Sequence, residues 1–293
     1  FAMARAVGIL LAALCLVGFA QATTWYISPY GNQNNNGTTP QEPFLTLSAA
    51  LDVASTGDTI EAANGVYSGS DNIGLLFAFD VTLQGKSEGS TIFQSTNDDD
   101  EDLFKVVGAE VQFSQLTVVG ASDTSATGVS VDSGGGFTAQ QTTFSSLYYA
   151  IVYSPFATTA SVSDCTFSSS VTTGVQVAST STATVTLPSM SLTDSVFQSR
   201  YGLWVDMYSS GESEWQDLTV SGCQFDKSSL VVKDGEGPQS VTVSDSEFSG
   251  LVSTSGYPAV YVYSQVAQLT LSGVSVTHTT TTSKAAVYVV NSS

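Results

Sequence analysis

Seven five-residue words recur along the chain in one local context, and that recurrence constrains the fold more than any other feature. They are SQLTV ending at Val118, QQTTF at Phe144, SDCTF at Phe167, TDSVF at Phe197, SGCQF at Phe225, SDSEF at Phe248 and SGVSV at Val276. Seven and five residues before each ending stand Val111/Phe113, Phe137/Ala139, Ala160/Val162, Met190/Leu192, Leu218/Val220, Val241/Val243 and Leu269/Leu271, all of them apolar. After each word comes an apolar-x-apolar triplet: Val129/Val131, Ile151/Tyr153, Val175/Val177, Leu203/Val205, Leu230/Val232, Val260/Val262 and Val287/Val289. Each unit therefore contains three short strands whose apolar residues alternate with outward ones, the period of a strand with one buried face. The word endings fall 23 to 30 residues apart, and the differences in length lie in the turns.

Three strands per unit, repeated along the chain, predict an all-β parallel β-helix in which each coil hydrogen-bonds to the next about 4.8 Å away. A β-sandwich would call for hairpin turns instead of one word returning in the same context. Equivalent positions then stack, so Phe144, Phe167, Phe197, Phe225 and Phe248 should form an internal ladder. Composition agrees: charged residues are 11% of the chain, against about 25% in an average domain, and Ser and Thr supply the polar exterior. Thr and Val suit a pleated surface, while the builders of long helices are scarce.

The first 22 residues, FAMARAVGILLAALCLVGFAQA, place a positive charge at Arg5, an apolar run from Ala6 to Ala20 and a small-x-small site at Ala20-Gln21-Ala22. This reads as a secretory signal peptide, because the run falls short of the about 20 residues that span a bilayer and a cleavage site follows it. The chain divides into a signal peptide at 1–22, an N-terminal cap with the first strands at 23–70, and β-helix coils at 71–293. Phe1 ahead of Met3, and Asn291-Ser292-Ser293 directly after an apolar run, point to a fragment truncated at its C-terminus. Asn36 and Asn291 head Asn-x-Ser/Thr sequons and are the expected glycosylation sites of a secreted or surface protein. Seven Lys and Arg against 26 Asp and Glu leave a formal charge of −19. Nucleic acid is excluded as a partner, since binding it depends on cations that release counterions. No membrane span is expected in the mature chain.

The repeats resemble those of right-handed parallel β-helix proteins of the pectin-lyase-like superfamily. Residues 26–67 are similar to the opening segment of that family: a strand, an Asn/Gly-rich loop, then Pro43, Phe44 and Thr46, a short helix, Gly57-Asp58-Thr59-Ile60, and Gly65 with Tyr67. Phe44, Leu47, Leu51 and Ala54 share one helical face, and Gly57 stands where a helix would stop. An N-terminal capping helix over the open end of the solenoid is expected there.

The resemblance implies a fold, and for the members that cleave acidic polysaccharides it implies either calcium-held lyase sites with an Arg or Lys base or hydrolase sites with aspartate words and Gly-His-Gly. The hydrolase words are missing, and the only histidine, His278, stands in a polar turn-like stretch. The cations beyond the leader are Arg200, Lys86, Lys105, Lys227, Lys233 and Lys284. The alignment sets Lys233 beside Asp206 on the adjacent coil, and a neighbouring carboxylate favours an ammonium over a base. No catalytic residue and no cofactor is expected. Calcium at Asn97-Asp98-Asp99-Asp100-Glu101-Asp102 is the lesser reading beside a solvated acidic loop, because the run lacks the spacing of an EF-hand. Cys165 and Cys223 share a column with Ser195 between them. Two coils put them about 9.6 Å apart, past the about 7 Å reach of a disulfide, so two buried free thiols are predicted.

The outward middle residues of the third strand run Ser130, Val152, Gln176, Trp204, Val231, Tyr261 and Tyr288, with Tyr208 and Tyr263 further out. Trp204, Tyr261 and Tyr288 form the candidate face for a polysaccharide or cell-surface partner, with a cover for the sheet as the alternative role of the rings. The sequence reading is a secreted or cell-surface β-helix acting as a non-catalytic adhesive, structural or glycan-binding module. The alternative is a pectate-lyase-like or polygalacturonase-like enzyme acting on acidic polysaccharides.

Overall fold

The recurring word is a corner, and the computed structural model shows how each letter serves it. The structure describes residues 21–96, 102–121, 125–179, 185–187, 189–207, 213–233, 240–250, 257–263, 266, 268–277 and 286–290. The second letter of the seven words is Gln115, Gln141, Asp164, Asp194, Gly222, Asp245 or Gly273, and all seven have φ between 48° and 66°. One left-handed residue turns the chain from the first sheet into the second. Few side chains visit that conformation, Asp and Gly more readily than most. The third letter points inward. Ser195 Oγ donates to Thr193 O at 2.7 Å and accepts from Cys165 N at 3.1 Å. Ser246 Oγ repeats the pattern with Ser244 O at 2.8 Å and Cys223 N at 3.2 Å. A polar residue is thereby buried without an unpaired hydroxyl.

The fifth letter begins the core. Phe144, Phe167, Phe197, Phe225 and Phe248 are fully buried and lie ring over ring, with successive centroids 5.2, 4.6, 4.8 and 4.4 Å apart and planes within 10° of parallel. Glycines make room beside them. A Cβ on Gly202 would lie 2.5 Å from Phe225 Cε1, and one on Gly174 would lie 2.9 Å from Phe197 Cδ1.

These coils build three parallel sheets. The first has ten strands, from Thr24–Ile27 and Asp58–Ala62 to Gln268–Ser272. The second has nine, from Gly65–Tyr67 to Ser275–Val276, and the third nine, from Leu75–Phe77 to Val287–Val290. Each strand pairs in parallel with its equivalent one coil away, and connections between parallel strands of one sheet are right-handed as a rule. The sequence alignment is the register itself. Val111, Phe137, Ala160, Met190, Leu218, Val241 and Leu269 are successive partners in the first sheet. Val129, Ile151, Val175, Leu203, Leu230, Val260 and Val287 are successive partners in the third. Val185–Leu187 and Ser213–Trp215 form a separate two-stranded sheet beside the coils.

The N-terminal helix is Leu47–Leu51, opened by Thr46, whose side chain accepts from Ala49 N. It buries Leu47 and Ala50 and packs on the strand Thr24–Ile27. Phe44 lies outside it, bridged to Ile27 in parallel β fashion, and Ala54 follows after it. The four-residue helical face expected from Phe44 to Ala54 is therefore corrected, and a capping role over the whole open end is not confirmed by five residues. Asp58 ties this end together: its carboxylate accepts from Thr23 N at 2.7 Å, Trp25 Nε1 at 2.9 Å and Ser55 N at 2.9 Å.

Among the described residues no helix is long and apolar enough to cross a membrane. The apolar run of the expected signal peptide, Asn97 to Glu101 of the acidic run, Tyr208, His278, Lys284 and Asn291 lie outside the described residues.

Candidate functional site

Period-two alternation sends every second residue of the third sheet outward, and the register lines these residues up along the solenoid. One column runs Leu76, Lys105, Ser130, Val152, Gln176, Trp204, Val231, Tyr261 and Tyr288. Trp204, Tyr261 and Tyr288 thus share one face. Val231 keeps the expected outward position, yet it is fully buried and belongs to no part of the inner core. Its neighbours in the column are Trp204 and Tyr261, large rings that stand over so small a side chain.

Ring orientation decides what this face offers. Tyr261 and Tyr288 lie parallel within 4°, centroids 5.3 Å apart, so each spends one face on the other. Tyr257 sets its edge against Trp204 at 5.3 Å and meets Tyr261 at 5.0 Å. Tyr201 meets Trp204 at 4.6 Å with planes 63° apart. The Lys233 ammonium stands 4.9 Å over the Trp204 ring and 2.9 Å from Asp206 Oδ2. The three aromatics predicted from sequence are thus parts of an interlocked cluster, and the open stretch of the face lies to one side of it.

That stretch is a groove of about 360 Å³ lined by Tyr149, Gln176, Arg200, Tyr201, Trp204 and Asp206, among others. Trp204 joins the groove to the aromatic cluster; Tyr261 and Tyr288 do not line it. Arg200 places its guanidinium 5.2 Å from the Tyr201 ring centre. Burial, with Tyr148 beside it, pushes the Tyr149 phenol above its ordinary pKa, while a hydrogen bond with Gln176 pulls the other way. The groove so presents ring edges and faces together with an amide, a guanidinium, a carboxylate and phenols. That donor and acceptor set suits hydroxyl-bearing ligands. Among the described residues no three His, Cys, Asp or Glu side chains converge as metal ligands.

The residues missed in sequence are Tyr149, Tyr201 and Tyr257, while Arg200, named there as one of the few cations, lines the groove with the first two. The first two share a register column with Thr173, each two residues before its apolar triplet, so the alignment carried that signal. Tyr257 stands outside the strands and has no repeat to announce it. Elsewhere Cys165 and Cys223 are buried and free, and burial raises their thiol pKa values to about 12 and about 11. Asn36 is exposed, with its Oδ1 accepting from Thr38 Oγ1 at 2.7 Å.

A model of the family described as Protein of unknown function (DUF1565) matches residues 30–203. No curated protein matches the sequence. Among solved structures, a rhamnogalacturonan lyase is 12% identical with a TM-score of 0.46, over 78% of this chain and 75% of its own. The PL6 family alginate lyase AlyGC is 11% identical with a TM-score of 0.45, over 90% of this chain and 40% of its own. Pectate lyase Pel9A is 16% identical with a TM-score of 0.30, over 90% of this chain and 80% of its own. At these identities the likeness is one of backbone shape.

Proposed function

The chain belongs to the DUF1565 family, and from that premise, with no activity in the family's description, we propose on the geometry of the third sheet that it is a secreted, non-catalytic β-helix that binds an extended glycan. The observation that carries this reading is the groove itself. On the third sheet, Trp204 and Tyr201 wall a concavity whose other groups include Gln176, Arg200, Asp206 and Tyr149. Aromatic rings beside fixed donors and acceptors suit a sugar, which carries both apolar C–H faces and hydroxyls. A solenoid also repeats its surface at each coil, about 4.8 Å along its axis, so a polymer can meet the same sheet over several units.

Secretion rests on the leader read at residues 1–22, and an adhesive or wall-associated setting follows from display of such a face outside the cell. The sequon at Asn36, exposed and away from the groove, is the proposed glycan attachment point, with Asn291 as a second. The reading calls for no cofactor. Lys233, the lysine best placed to be taken for a base, is paired with Asp206 and stands on Trp204.

The test is binding of the full chain to immobilised oligosaccharides, with Trp204→Ala as the variant. An about tenfold loss of affinity at unchanged melting temperature supports the groove; about 1.4 kcal/mol is what such a loss amounts to. Retained affinity in Trp204→Ala removes it. New unsaturated or reducing ends released from a polyuronate, and abolished by Arg200→Ala, would replace binding with catalysis.

A further inference from the structure

Resting on the glycan-binding reading of this groove, we infer that its ligand is a neutral, hydroxyl-rich polysaccharide and that Asp206 is the residue that sets this preference against uronates. Among the described residues the charges that line the groove are one cation, Arg200, and one anion, Asp206. Lys233 stands behind Asp206 at 2.9 Å with both side chains about three-quarters covered, 22% and 27% exposed, so its charge is already answered. The other lysine of the face, Lys105, holds Asp132 Oδ2 at 2.8 Å, and that contact raises the ammonium above its ordinary pKa, with Asp102 adding to it. A uronate entering here would have to separate one of these pairs or settle beside Asp206. Leaving a partly desolvated carboxylate without its counterion is costly.

The wider field points the same way. The whole chain carries −19, a potential that lowers the encounter rate of a polyanion, most of all at low salt where screening is weak. A neutral sugar meets no such barrier. It also finds an acceptor: Asp206 Oδ2 is held by Lys233, whereas Oδ1 is shielded from solvent and has no hydrogen-bond partner among the described residues. The terminal torsion of an aspartate is soft, so the carboxylate can turn toward a ligand hydroxyl, the two oxygens moving together against Lys233. A hydrogen bond to an ionised acceptor is worth more than one between neutral groups. Arg200, its guanidinium 5.2 Å from the Tyr201 ring centre, can donate to hydroxyls as well as to carboxylates, and Asp206 in the same groove is the group that weighs against the latter.

The experiment compares neutral hexasaccharides of glucose, xylose and mannose with hexagalacturonate by calorimetric titration of the full chain at low and physiological salt. At least one neutral chain is expected to bind at least about tenfold more tightly than the hexauronate, with little salt dependence, as befits contacts that are not between net charges. Asp206→Asn takes the carboxylate away from Lys233 and from the groove, and is expected to weaken the neutral ligand and strengthen hexagalacturonate about tenfold, with that gain lost in salt. A circular dichroism melt shows that the variant folds. Tighter binding of the hexauronate to the unaltered chain, lost in Trp204→Ala, overturns the neutral preference while leaving the groove as the glycan site. Equal binding of hexagalacturonate by Asp206→Asn and the unaltered chain overturns the part given to Asp206. Failure of every oligosaccharide to bind removes the glycan reading and this inference with it.

Discussion

Replacing Phe197 with alanine tests the internal ladder where it is least able to adapt. The ring is fully buried, stacked 4.6 Å from Phe167 on one side and 4.8 Å from Phe225 on the other. Truncating a buried phenylalanine costs about 3–5 kcal/mol, more where the walls of the void cannot close. Here they are stiff. Gly174 and Gly202 flank the ring with bare backbone, a Cβ on Gly202 lying only 3.1 Å from Phe197 Cγ. The loss should therefore fall at the upper end, and two stacked pairs, each worth about 0.5–1.5 kcal/mol, go with it. Against a total of about 5–15 kcal/mol for a typical domain this is a large share. Because each coil contacts only its neighbours, the damage should be local. Urea unfolding followed by hydrogen exchange is expected to show faster exchange in Thr166–Phe167 and Gln224–Asp226 while Val81–Gly85 keeps its protection. A loss under about 1.5 kcal/mol would show that the core closes around the missing ring, contrary to the stiff walls argued from Gly174 and Gly202. Equal deprotection of all coils would refute the nearest-neighbour account.

Gly202→Ala sets a methyl 2.5 Å from Phe225 Cε1. It should cost about 1–3 kcal/mol, and Phe225→Leu in the same chain should recover part of that, as a double-mutant cycle would measure. Burial pushes the Asp58 carboxyl up, but the hydrogen bonds from Thr23, Trp25 and Ser55 outweigh it and hold the pKa below its ordinary value. That contribution is present above the unfolded pKa of about 4 and is lost as pH falls through the lower folded value. Asp58→Asn should remove about 2 kcal/mol at neutral pH and flatten the acid limb of the stability profile; an unchanged limb counts against it. With thiol pKa values of about 12 and about 11, Cys165 and Cys223 should resist Ellman's reagent until the chain unfolds. Rapid labelling of the native protein would contradict their burial.

The fold was legible because the repeat is long and its chemistry strict. A period of two names the inward positions, and recurrence names the register, so the inward columns from Val111 onward follow from the sequence. The Asp206–Lys233 contact follows from that alignment alone, since adjacent coils bring equal positions together. The helix was harder to bound: Phe44 has an apolar side chain that fits a helical face, but a backbone bridge to Ile27 held it in the sheet.

The sequence by itself determined which residues of the repeats face in and which stack, because a period of two and a recurring word fix both; the left-handed residue that turns each corner emerged only from the backbone. The tertiary structure alone also decided the use of the outward face. Tyr261 and Tyr288 were correctly placed in one column, yet whether their rings lie open or against each other depends on side-chain torsions that no spacing encodes. The groove beside Trp204 draws on residues from neighbouring coils, and Tyr257 reaches the cluster from outside the strands. The alignment fixes positions along the strands, whereas a concavity arises from how side chains of unlike size, set one coil apart, fill or fail to fill the space above the sheet.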